Sequence, residues 1–118
     1  MTITLATLPQ ATAQEVFDQV ATHLLKQNKK SENLVRCAYR GPDGLKCAAG
    51  CLISDQEYDE LMEGKPWHML VDSGDCPVEH HRLICTLQKV HDEGSVEDWS
   101  TLLQAVATKF NLIFRVPT

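Results

Sequence analysis

With 118 residues, 43% of them hydrophobic and 23% charged, the chain has the composition of one globular domain spanning 1–118 rather than of a disordered segment. A net charge of −5 excludes a general binder of nucleic-acid backbones, which needs clustered Lys and Arg, while permitting a basic partner. The cysteine count is odd, at five, no basic n-region and apolar h-region follow Met1, and no apolar run is long enough for a bilayer; the expectation is a cytoplasmic protein with reduced thiols and no membrane association.

The opening TITLATL alternates threonine with apolar residues and suits either an edge strand or an ordered arm. Thr12 and Glu15 form a T-x-x-E capping box, in which each side chain satisfies a free backbone N–H of the other. Behind it Ala13, Val16, Phe17, Val20, Ala21, Leu24 and Leu25 recur at helical spacing, and the polar run KQNKKSEN ends the helix near Asn28. His23 lies beside this stripe as a boundary residue. NLVRCAYR reads as a strand, and GPDG as the turn that reverses it. Pro42 presets φ, Asp43 suits the next position, and Gly44 accepts the left-handed conformation that follows. Residues 35–40 are therefore expected to pair antiparallel with 45–48, with Cys37 and Cys47 near neighbours across the hairpin.

Ser54 and Glu57 form a second capping box, S-D-Q-E, heading a short helix through Tyr58, Leu61 and Met62 that Gly64 stops. The connection KPWHMLVDSGD carries an apolar cluster of Trp67, Met69, Leu70 and Val71, expected as a helical turn on the core. Asp75 or Cys76 caps the next helix, with Pro77 at its first position, Glu79 in its first turn and Leu83, Ile84, Leu87 and Val90 as its buried face, up to Gly94. Ser95 and Asp98 start the last helix, with a stripe of Trp99, Leu102, Leu103, Val106 and Phe110, and the closing NLIFRV reads as a strand. The fold class expected is α+β: about four helices packed on a small antiparallel sheet centred on the one β-hairpin.

Two pairs of metal-ligand type stand at i, i+4 spacing, Cys47 with Cys51 and Cys76 with His80. On helical turns each pair shares a face, and together they suit a closed structural zinc site. Zinc knuckles use shorter gaps with glycine-rich turns, however, and free cysteine is commonly buried as a small hydrophobe. Burial accounts for CAAGCLI best, so no cofactor is expected and a zinc-stabilised domain is the alternative. A cysteine-dependent enzyme would rest on Cys76 at a helix start, with His80 and His81 one turn away, but nothing in the sequence supplies an orienting third group. The chain reads as non-enzymatic. Its carboxylates, Asp55, Glu57, Asp59, Glu60 and Glu63 among them, are read as dipole-favoured or solvated charges, and no phosphate-binding loop is present. An interaction surface remains: Tyr39, Arg40, Asp43 and Lys46 ring the hairpin tip, and the acidic segment 55–63 is the second choice for a basic partner.

The run CAYRGPDGLKCAAGCLISDQEYDELMEG, preceded by FDQVATHLLKQNKKS, resembles a family of small uncharacterised accessory proteins of tailed phages and their prophages. The resemblance covers roughly residues 14–113 and is strongest at 37–58. It implies a protein made in a bacterial host cell that binds and modulates a host protein, inhibition of an antiviral defence component being one version. A homo-oligomer is compatible with the sequence.

Overall fold

The computed structural model describes residues 2–33 and 36–115. Among them are four α-helices: α1 (Ala13–Gln27), α2 (Trp67–Asp72), α3 (His81–Glu93) and α4 (Trp99–Lys109). Helices α1, α3 and α4 pack against one another, α2 lies on α3, and a 3-10 turn at Ala49–Leu52 is wedged against α1 and α3. Val16, Phe17, Val20 and Leu24 of α1 meet Leu83, Ile84 and Leu87 of α3 and Trp99, Leu103 and Val106 of α4 in one buried cluster. The apolar stripes of these three helices were legible from spacing alone, and so was the Thr12–Glu15 capping box, whose two reciprocal bonds measure 3.1 and 2.8 Å. Asn28 closes α1 in the left-handed conformation, at φ 52°. No described helix is long and apolar enough to cross a membrane.

The expected α+β architecture is overturned, because no β-strand or sheet exists among the described residues. The one bridge, Glu32 with Cys37, turns residues 36–38 back onto 31–33 instead of onto 45–48. The physical reason is competition for backbone groups, which a ladder needs in full. The N–H groups of Tyr39 and Arg40 donate to the two oxygens of Glu63, each at 3.0 Å. Opposite them, Lys46 N–H donates to Gln27 Oε1 at 3.0 Å and Ala49 N–H to Gln88 Oε1 at 2.8 Å. What survives of the hairpin is its chain reversal, in which Gly41 N–H bonds Leu45 O at 2.8 Å. Asp43 (φ 58°) as well as Gly44 (φ 77°) is left-handed, so this is not the type I turn expected from Pro42 and Asp43. Leu34 and Val35, within the expected strand, lie outside the described residues.

The opening segment is the arm of the two forms expected, turning at residues 5–7 into a 3-10 turn at Leu8–Gln10. The expected closing strand is likewise an unpaired arm among the described residues, and both are bound to α1. Gln19 accepts from Ile3 N–H at 2.6 Å and donates to Ile3 O at 3.0 Å. Gln14 does the same for Ile113, at 2.9 and 2.8 Å, and Phe114 packs edge-on against Phe17 at 5.9 Å. Each carboxamide stands in for one residue of a neighbouring strand. Val116, the last residue of the expected closing strand, lies outside the described residues.

Two helix starts also differ from expectation. The Ser54–Glu57 box forms, with bonds of 3.0 and 3.3 Å, but only a turn follows it, and then a 3-10 turn at Glu60–Met62. Helix α3 begins at His81, not at Pro77. The amides of Asp75 and Cys76 both bond Leu70 O, at 2.9 and 3.1 Å, so these residues close α2 rather than open α3.

Candidate functional site

Of the four residues expected to ring the hairpin tip, two are internal. Tyr39 is buried, and its hydroxyl donates to Lys65 O at 2.6 Å. Arg40 donates to Gly50 O at 2.9 Å, Ile53 O at 2.6 Å and Tyr39 O at 3.3 Å, while its guanidinium lies 4.8 Å from the centre of the Tyr58 ring. Its ion pair with exposed Asp55 spans 3.2 Å. Arg40 thus braces the CAAGCLI segment from inside. Asp43 is exposed and Lys46 half-buried. In the acidic segment, Asp55, Asp59 and Glu60 face solvent, but Glu57 and Glu63 are clasps. Glu57 accepts from Leu5, Ala6 and Ser54 N–H at 2.9, 2.9 and 3.0 Å. Burial pushes its carboxyl up, and these donors outweigh that, so its pKa lies below the ordinary carboxylate value.

The four metal candidates do not converge. Among the described residues, the group close enough to share an ion is Cys37, His91 and Asp92, whose ligand atoms lie within 4.8 Å of one another. Cys47 Sγ instead accepts from Gly50 N–H at 3.3 Å, Cys51 donates to Ala48 O at 3.1 Å, and His80 Nε2 donates to Ala11 O at 2.7 Å. The Cys37–His91–Asp92 group was not read from the sequence, although HD on the polar edge of the α3 stripe offered a hint.

Its bonding polarity argues against a metal. His91 is fully buried and stacks on Trp99 at 5.6 Å. Its Nε2 accepts from Ser31 N–H at 2.9 Å, so a neutral ring carries its proton on Nδ1 and donates it to Asp92 Oδ1, 2.7 Å away. A metal on Nδ1 would move that proton to Nε2, where it would oppose the Ser31 N–H; ligating histidines normally donate from the second nitrogen. Gln88 and Cys37 also donate to Asp92, whose pKa lies below the ordinary value: burial raises it, and bonds from His91, Cys37 and Gln88 lower it more.

The thiols are not poised for nucleophilic chemistry. Burial pushes Cys37 up to about 11 and Cys51 and Cys76 up to about 12, and it raises Cys47 and Cys85 as well. Cys76 also lacks the helix N-terminus expected to activate it.

The most ligand-like surface is on the far side of α3. Thr86, Lys89, Val90 and Glu93 face Leu102, Ala105, Val106 and Lys109 of α4 across a groove of about 380 Å³, closed at one end by Leu102 against Gly94. Positions i, i+3, i+4 and i+7 of both helices line it, so its floor is apolar and rigid. Periodicity did suggest the helices, but not that the stripe of α4 would wrap past the core onto this outer face. No family model, no curated protein and no solved structure matches the chain.

Proposed function

We propose that this is a non-catalytic binding protein that engages a helical segment of a bacterial host protein in the host cytoplasm, as the resemblance to phage accessory proteins implies. The α3–α4 groove carries this reading. It is a largely apolar groove between two packed helices, lined over two turns of each. The exposed Lys89, Glu93 and Lys109 border Val90, Leu102, Ala105 and Val106, a pattern that suits a row of apolar side chains from a helix. The remaining polar constellations favour the same reading. The Arg40, Glu57, Glu63 and Asp92 side chains are taken up in holding backbone or neighbouring side chains, and the thiols are held protonated. Inhibition of an antiviral defence component is one form that such binding takes.

Ala105 tests it, being exposed in the groove and outside the core. Affinity capture from bacterial lysate is expected to recover a stoichiometric partner with the native protein and none with Ala105→Glu, at unchanged melting temperature. Capture of the same partner by both proteins, or of none by either, would overturn the proposal.

A further inference from the structure

Resting on the groove as the contact surface, we infer that its occupant is an amphipathic helix carrying carboxylates at one end. The two ends of the groove differ in charge. Glu93 stands at the end closed by Leu102 and Gly94, next to the α3–α4 connection. Lys109 lines the opposite end, where Arg82 lies one turn before Thr86 on the same row of α3, and Lys89 stands midway, one turn from Glu93. Lys109 is held over the Phe110 ring, 5.7 Å from its centre, which fixes part of its stem at the rim. On a chain of net charge −5 this is a local cationic end on an apolar slot. A docked helix buries apolar residues at i, i+3 or i+4, and i+7 over Val90, Ala105 and Val106. Asp or Glu at one of its ends meets Lys109, with Lys89 within reach from mid-groove, while a carboxylate at the other end would meet Glu93 and be repelled. The charge asymmetry therefore selects both the partner's chemistry and its direction in the groove.

The experiment uses two designed helical peptides of about fourteen residues with the same leucine row. One carries Glu at its final turn and the other carries Lys there. Each is titrated into the full chain by fluorescence anisotropy and by amide chemical-shift mapping. The Glu-ended peptide is expected to bind about tenfold tighter than the Lys-ended one, as two or three rim pairs allow, with the margin shrinking at high salt. Shifts should fall on Thr86, Lys89, Leu102 and Ala105, and Lys89→Glu with Lys109→Glu should invert the preference. Equal binding of both peptides in the groove would overturn the acidic-partner inference and leave the groove reading standing. No binding by either, or shifts elsewhere, would remove both. Concentration-dependent self-association abolished by Ala105→Glu would also overturn it, making a second copy the occupant, with the exposed Leu61 beside Asp59 and Glu60 as the candidate insert.

Discussion

Arg40 places one guanidinium against the carbonyls of Gly50 and Ile53 and the ring of Tyr58, while the backbone of its neighbour Tyr39 closes over Gly50. A Cβ on Gly50 would stand 2.5 Å from Tyr39 O, a backbone atom that cannot swing away. Gly50→Ala is expected to cost about 1–3 kcal/mol through this overpacking, read as a lower denaturant midpoint at unchanged slope. Gly44 has nothing within 4 Å of its notional Cβ but sits at φ 77°, so Gly44→Ala should cost only the left-handed strain, about 1 kcal/mol. Arg40→Ala removes charge-assisted bonds to three carbonyls, Tyr39, Gly50 and Ile53, from a side chain only 17% exposed. It should destabilise by about 2 kcal/mol or more, with little of that from the solvent-exposed Asp55 pair. A loss under about 0.5 kcal/mol would instead fit a decorative surface arginine.

At the scale of elements, α1 does the work that a sheet was expected to do. Gln14, Gln19 and Gln27 each clasp the N–H and C=O of a single residue, Ile113, Ile3 and Lys46 respectively. Three extended segments are thereby fixed to one helix without pairing to each other. Gln14→Ala should free the final arm alone: hydrogen exchange at the Ile113 amide should accelerate about tenfold or more, while core amides in α3 keep their protection. Exchange that rises equally everywhere would mean that the arm is part of the global folding unit.

Across the whole molecule, Glu57 ties the first arm to the turn after CAAGCLI, and Asp92 ties α3 to the segment carrying Cys37. Both carboxyls have folded pKa values below their ordinary ones. Their contribution is thus present above the unfolded value of about 4 and is lost as pH falls through the folded values. The melting temperature should hold from pH 7 to about pH 5 and then drop, with a shallower acid limb in Glu57→Gln. Identical acid limbs in the two proteins would show that Glu57 is not linked to folding. For Cys37, His91 and Asp92, metal analysis of protein purified without chelator is expected to find less than stoichiometric zinc. One zinc per chain, lost in Cys37→Ser, would show that the Ser31–His91 bond is broken in solution.

Helical spacing alone determined α1, the buried face of α3 and the stripe of α4, because a 3.6-residue apolar period is local information. Capping chemistry likewise marked Thr12 and Ser54, since each box closes within four residues. The left-handed glycine after Asp43 was legible for the same reason. Whether residues 36–40 would find a strand partner was not local. That depended on Glu63, Gln27 and Gln88, which reach the same backbone groups from distant segments and leave no ladder to form. The inward placement of Tyr39 and Arg40 followed from this, with their side chains bonded to the carbonyls of Lys65, Gly50 and Ile53. The charge-graded groove also had to await the packing of α3 on α4, because its floor is made from two helices whose separate sequences show only their own stripes.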